Sequence, residues 1–219
     1  DALAVASPRR PDVEWSPDDL YMLYTGGTTG MPKGVIWRNG DAMVECFGGS
    51  KTAASIEEFV SEANTGLQAL LAPPFMHGAG HWMSFRTWLG GGTVFIQSVP
   101  ERLDPVDIWS TIEREKVNFL LIVGDAFARP LLDELEHPTN GRGYDLSSLT
   151  VVLSGGAPLS APLKDEFLAH LPTLMIVDGL GSSEAPTTIM FFTTALAGPR
   201  RDAPVTLAPG PCELTAEHF

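Results

Sequence analysis

Apolar residues along the chain fall into short runs, separated by glycine, proline and polar stretches. Leu20 to Tyr24 reads as a strand that runs directly into a glycine-rich loop, and Val35-Ile36-Trp37 resumes an extended path. Asp41 to Phe47 begins a helix, and Ser55 followed three residues later by Glu58 fits a capping box. Gln68 to Ala72 is a buried strand stopped by Pro73-Pro74. From His77 to Leu89, residues Trp82, Phe85 and Leu89 recur on one helical face. Gly90-Gly91-Gly92 ends that helix, and Thr93 to Ile96 is a strand. Asp104 and Pro105 make an N-cap with an N1 proline, opening a helix that buries Ile108, Trp109 and Ile112.

The pattern then repeats. Asn118 to Val123 is strand-like, Asp125 to Leu135 is helical, and Asn140 to Tyr144 is a turn. Leu149 to Leu153 is a further apolar run. Ser160 with Pro162 starts a helix carrying Leu163, Phe167 and Leu171, and Leu174 to Val177 is the next strand. Several strands are apolar throughout instead of alternating, as in strands covered on both faces. The expected fold is therefore α/β, a mainly parallel sheet with helices on both faces. After Thr194 the chain is rich in Pro and Ala and shows no clear element.

Composition narrows the function classes. The chain has 219 residues, 44% of them apolar, enough for a buried core. Its formal charge of −13, with no basic stripe, argues against nucleic acid as the main partner. An acidic protein can still hold an anion through local N–H groups, a lysine and a metal ion. Cys46 and Cys212 match no metal spacing, and a reducing cytoplasm is the expected compartment. No apolar run is long enough to be read as a transmembrane segment. The chain opens on Asp1, so residues 1–17 read as a linker or truncated start.

The candidate chemistry begins in the loop after the first strand. Thr25-Gly26-Gly27-Thr28-Thr29-Gly30 offers glycines that let the backbone approach a ligand, successive N–H groups and three hydroxyls; Lys33 adds a charge. Neither a Walker A loop nor a dinucleotide fingerprint has this spacing. By composition alone it is either a phosphate nest or an unliganded Gly/Thr-rich surface loop.

The whole string Tyr24 to Gly34, followed by Val35, closely resembles the signature of the adenylate-forming superfamily, which includes acyl-CoA synthetases, firefly luciferase and nonribosomal peptide synthetase adenylation domains. Only Gly26 departs, where the family has serine. Pro73 to Gly80 is similar to the family's proline–histidine segment, with His77 beside the carboxylate pocket. Ser154 to Leu159 is similar to the turn that lies against adenine through Gly155, Gly156 and Ala157. Asp178-Gly179-Leu180-Gly181-Ser182-Ser183-Glu184 resembles the segment that ends on a Mg²⁺-ligating glutamate, here Glu184. Leu180 stands where many relatives stack a tyrosine on adenine. Taken singly, His77 can be structural, the Gly-Gly-Ala turn an ordinary β–α turn, and Glu184 a helix N-terminal carboxylate.

The resemblance implies attack of a carboxylate on the α-phosphate of ATP, with Mg²⁺ as cofactor and coenzyme A as co-substrate of the complete enzyme. Catalytic roles fall on Thr28, Lys33, His77 and Glu184. ATP contacts extend over Thr25 to Gly30, Lys33, Gly155 to Ala157 and Asp178 to Ser183. His77, Trp82 and Met83 line the acyl pocket. The string Met31 to Trp37 most resembles bacterial synthetases for fatty or sterol side-chain acids. Residues 18–194 correspond to the central part of the large AMP-binding N-terminal domain and 195–219 to the start of a following subdomain, with no small C-terminal domain. A homodimer is an open expectation. Two alternatives remain: a non-catalytic ATP-binding relative, and, more weakly supported, a γ-phosphotransferase.

Overall fold

A computed structural model describes residues 5–9, 11–26, 31–62, 66–186, 189–195, 198–199 and 205–206. Its centre is an eight-stranded sheet in the order β10-β8-β7-β6-β5-β3-β4, with β9 paired to β8. The strands are β3 (Gln68–Leu71), β4 (Thr93–Phe95), β5 (Phe119–Ile122), β6 (Val151–Gly155), β7 (Met175–Leu180), β8 (Ile189–Thr194), β9 (Gly198–Pro199) and β10 (Val205–Thr206). β3 to β7 are parallel; β8 runs antiparallel to β7 and pairs antiparallel with β9 and β10. The elements expected from the sequence stop at β7 and include none of β8 to β10: β9 and β10 are two-residue strands without an apolar run, whereas β8 does carry one, Ile189-Met190-Phe191-Phe192, which the sequence reading passed over.

The two faces of the sheet are packed unequally. Side chains alternate across a strand, so Leu120 and Ile122 face one side while Phe119 and Leu121 face the other. The first side packs on α4 (Pro105–Glu115), α5 (Gly124–Glu136) and α6 (Ala161–His170), through Ile108, Trp109, Leu131 and Phe167. Trp109 is fully buried, and its indole N–H donates to the Leu131 carbonyl (2.9 Å), joining α4 to α5. The second side meets α3 (Gly78–Leu89): Ala69, Leu71, Phe119 and Leu121 cluster with Ala79 and Met83.

A separate hairpin, β1 (Leu20–Thr25) and β2 (Lys33–Arg38), leads into α1 (Asn39–Glu45). Its apolar side, Leu23 and Trp37, packs with Ala42, Phe47 and Trp82. The hairpin is thereby docked on α3. A further short helix, α2 (Ile56–Glu62), follows α1.

Several boundaries differ from the sequence pattern. β7 runs to Leu180, so Asp178, Gly179 and Leu180 belong to the strand and do not follow it; pairing with β8 supplies the ladder that the apolar run alone did not. β6 starts at Val151 and includes Ser154 and Gly155. On α3, Trp82 is buried but Phe85 is exposed, because Gly78 and Gly80 turn the helix so that Ser84 and Thr87 fill the inner face. Those hydroxyls donate to the Gly80 and Met83 carbonyls (both 2.7 Å). At α2 the Glu58 N–H donates to Ser55 Oγ, but the Glu58 carboxylate accepts from Ala54 and not from the cap residue. The Asp104 cap forms as expected, accepting from the Asp107 N–H with Pro105 behind it.

Candidate functional site

The candidate residues gather at the carboxyl ends of neighbouring parallel strands. His77 follows β3, Gly124 follows β5, Gly155 and Gly156 close β6, and Gly181 to Glu184 follow β7. The sheet order reverses where β4 lies outside β3 and β5 on its other side. A crevice at that switch is the usual ligand position in open α/β sheets.

His77 is the N-cap of α3, and its Nδ1 accepts from the Ala79 N–H at 3.3 Å. With Nδ1 used as acceptor, the ring N–H lies on Nε2 and is available to a ligand. The ring lies over Gly156: a Cβ there would meet His77 Cε1 and Val123 Cγ1 at 3.7 Å. Gly156 has φ +87°, a left-handed conformation that suits glycine.

The Gly-Gly-Ala turn is held from below by the start of α5. The Gly124 N–H donates to the buried Ser154 Oγ (3.0 Å), the Asp125 N–H to the Pro158 carbonyl (3.1 Å), and the Ser160 N–H to Asp125 Oδ1 (2.7 Å). Gly124 itself has φ +55°, and a Cβ there would sit 2.5 Å from the Pro158 carbonyl oxygen. The sequence placed Asp125 at a helix start and Ser154 at the head of the Gly-Gly-Ala segment, but no local signal marked Gly124 or the supporting bonds of all three, which arise only from contact between two β–α turns.

Beyond β7 the chain makes a tight turn. The Ser182 N–H donates to the Ala185 carbonyl (2.8 Å), and Ser182 Oγ accepts from the N–H groups of Glu184 (3.3 Å) and Ala185 (3.2 Å). Gly181 lets the chain fold back, since a Cβ there would overlap the Pro186 carbonyl. Glu184 is half-buried at the tip, and its carboxylate has no ion pair or hydrogen bond among the described residues. Leu180 is 59% exposed beside it. Asp178 is different: its carboxylate is ion-paired with Lys164 of α6, turned toward the helix layer.

The glycine-rich loop closes the β1–β2 hairpin. Its last register pair is Thr25 with Lys33, and Thr25 Oγ1 donates to the Lys33 carbonyl (3.3 Å). Gly26 is exposed, as is Lys33; Gly27, Thr28, Thr29 and Gly30 lie outside the described residues. A long-range bond ties this hairpin to the Glu184 turn: the Trp37 indole N–H donates to the Ser183 carbonyl at 2.9 Å. Trp37→Phe leaves that half-buried carbonyl unpaired, at a cost of about 1–3 kcal/mol. Backbone amides of residues 181–185 will then exchange faster while those of α4 keep their protection. Unchanged exchange across the turn would show that the tether is not what holds it.

A cavity of about 1030 Å³ opens between α3 and the sheet. His77, Gly155, Gly156, Gly179 and Ser183 stand at one end; Trp82 and Met83 on α3 face Phe119 and Leu153 along its length. Trp82 also belongs to the hairpin core, its indole N–H donating to the Tyr21 hydroxyl (3.1 Å). His81 packs among the rings of Tyr21, Phe47 and Phe85 at 5.0–6.3 Å. Burial pushes its pKa below the ordinary histidine value, consistent with a core role.

A model of the AMP-binding enzyme family matches residues 2–212. The chain belongs to that family. It is 44% identical over 202 residues to a medium-chain acyl-CoA ligase, Mig, of Mycobacterium avium, covering 89% of this chain and 36% of that protein. It is 42% identical over 194 residues to a 3-oxocholest-4-en-26-oate–CoA ligase of Rhodococcus rhodochrous, covering 84% of this chain and 34% of that protein. The chain thus spans about a third of the length of these relatives. Among solved structures, the N-terminal domain of FACL13 from Mycobacterium tuberculosis superposes with a TM-score of 0.65 at 22% identity, over 89% of this chain and 44% of that one. That likeness establishes the shared fold. Among the described residues, no helix of this AMP-binding family member is long and apolar enough to cross a membrane.

Proposed function

We propose that this chain carries the nucleotide and acyl walls of an AMP-forming acyl-CoA ligase that activates a fatty or sterol side-chain acid in the cytoplasm. The observation that supports this reading most is the meeting of His77, the Gly155-Gly156 turn and the Glu184 turn at the mouth of one apolar cavity. Residues 18–194 are read as the central part of the large N-terminal domain. The remainder of the enzyme would supply the surfaces needed for transfer to coenzyme A.

Both reactants, a carboxylate and a triphosphate, are anions, so alignment and charge neutralisation are the main catalytic tasks. The Nε2–H of His77 donates to the carboxylate and holds it near the α-phosphate. The loop from Thr25 through Gly26, Gly27, Thr28, Thr29 and Gly30 to Lys33 holds the departing pyrophosphate with N–H groups, hydroxyls and one charge. Gly155, Gly156 and Ala157 present backbone to adenine, with Gly179, Leu180, Gly181, Ser182 and Ser183 on its other side. Asp178 contributes main chain here, since its carboxylate is turned to Lys164.

Glu184 fits a magnesium ligand: a fixed carboxylate without a protein cation beside it suits a hard ion that takes its other oxygens from phosphates and water. The ion would supply charge withdrawal from the phosphates. Trp82 and Met83 form the start of the acyl channel.

The deciding measurement is carboxylate-dependent ATP–pyrophosphate exchange by the full-length protein, with straight-chain and sterol side-chain acids. Exchange is expected with at least one acid of these classes. ATP binding without exchange, across a wide panel of acids, would instead establish a non-catalytic relative.

A further inference from the structure

We infer that Lys164 is a positioning residue for the nucleotide: through Asp178 it fixes the register of two glycine strand ends, and with it the main chain of Gly179 and Leu180 against the nucleotide. The inference rests on the nucleotide half of the reading above. β6 and β7 bring Gly155 and Gly179 together as register partners, and both glycines line the cavity. Without side chains, this pair leaves room for a ligand. It also removes the contacts that specify register, so a glycine strand end is held weakly by the ladder alone. One position earlier Ser154 pairs with Asp178, but Ser154 Oγ is committed to the Gly124 N–H.

Lys164 supplies the missing constraint. It stands in the first turn of α6, soon after the Gly-Gly-Ala turn, and its N–H donates to the Ser160 carbonyl (3.1 Å). Its ammonium is ion-paired with Asp178 Oδ2, a buried atom without a hydrogen bond among the described residues. The segment from Gly155 to Lys164 is therefore fastened to β7 at both ends, by the Gly155–Gly179 ladder pair and by the Lys164–Asp178 ion pair. Gly156 and Ala157, the turn assigned to adenine, lie between the two fastenings.

Stability does not explain this pair. Its side chains are 16% and 18% exposed, whereas every other ion pair among the described residues has a partner at least 41% exposed. A buried ion pair adds little or nothing over apolar side chains of the same size, and its best-attested use is to fix a register. A lysine in the first turn also opposes the helix dipole. Both penalties fall at one place, the strand end beside the nucleotide wall.

The test is the ATP affinity of the full-length protein, read by titration calorimetry, beside the KM values for ATP and for the acid in pyrophosphate exchange and the melting temperature. Lys164→Met is expected to raise the Kd and KM for ATP about tenfold, with the KM for the acid within about twofold of the parent's. Lys164→Arg keeps the charge and is expected to stay within about threefold of the parent for ATP. In the double variant Lys164→Met with Asp178→Asn the unpaired buried charge is gone. Its melting temperature is expected to return toward the parent's while its ATP affinity stays low. Where Lys164→Met alone does not fold, the double variant decides. Recovery of ATP affinity together with stability would overturn the inference, as would parental ATP affinity in Lys164→Met or equal losses for ATP and the acid. If the unmodified protein binds ATP but exchanges with no acid, the acyl-activating reading falls and the Kd ratios alone judge this inference. An unmodified protein that binds no ATP would remove both.

Discussion

Glu184→Gln is expected to lower carboxylate-dependent ATP–pyrophosphate exchange of the full-length protein by roughly 100- to 1,000-fold, the range seen when one preorganised charge-stabilising group is removed. The amide keeps the size of the side chain and removes its charge. In the fold, the carboxylate holds nothing together: the turn is fixed by Ser182 Oγ, the Ser182–Ala185 backbone pair and the Trp37–Ser183 bond. Thermal stability should accordingly change by no more than about 0.5 kcal/mol, as for a surface substitution without partners. The two readouts separate the proposed role from a structural one. Loss of exchange together with an equally large loss of stability would place Glu184 in the framework, and full exchange by the variant would remove it from metal binding. Raising the Mg²⁺ concentration is expected to recover part of the activity, because the phosphates and water still offer ligands.

Gly124→Ala is expected to be among the most damaging single-methyl changes in the described fold, because it combines a positive φ with a backbone overlap. The residue has φ +55°, which costs an L-residue about 1–2 kcal/mol. Its added Cβ would also lie 2.5 Å from the Pro158 oxygen and 2.8 Å from the Ala157 Cβ. Those atoms belong to the backbone of the Gly-Gly-Ala segment or sit directly on it, so relief requires the turn to move. A total loss of about 3 kcal/mol or more is expected, together with weaker ATP binding. Gly141→Ala provides the control. Its φ is +72°, but a Cβ there meets nothing within 4 Å, so only the backbone cost of about 1 kcal/mol applies. Chemical denaturation of both variants beside the parent protein measures the difference. Equal losses would show that the contact between the two turns is slack.

The elements were largely legible because their causes are local. Leu120, Leu121 and Ile122 form a fully buried run, and such a run reads as a strand covered on both faces wherever it lies. Asp104 and Pro105 begin a helix by their own chemistry, and the structure has them doing so. The end of β7 was not legible, since Asp178 and Gly179 are poor strand formers by type and are held extended by pairing with Phe191 and Met190. Phe85 was misplaced by periodicity because the pattern records which residues are apolar, not which ones glycine contacts draw inward. Gly80 packs its α-carbon on the Pro73 and Pro74 carbonyls, and that contact turns Ser84 and Thr87 to the inside.

By itself, the sequence determined the parallel α/β class, the order of the strands and helices along the chain as far as β7, and the motif strings that identify the family. Those follow from side-chain polarity, turn residues and caps, each acting over a few positions. Only the tertiary structure decided that His77 lies over Gly156, that Gly124 supports the turn behind it, that Trp37 ties the hairpin to Ser183, and that Asp178 faces Lys164. The physical reason is separation along the chain. These contacts span from 14 to 146 residues, and they are fixed by which strands pair and by the packing of buried side chains, neither of which a local pattern encodes.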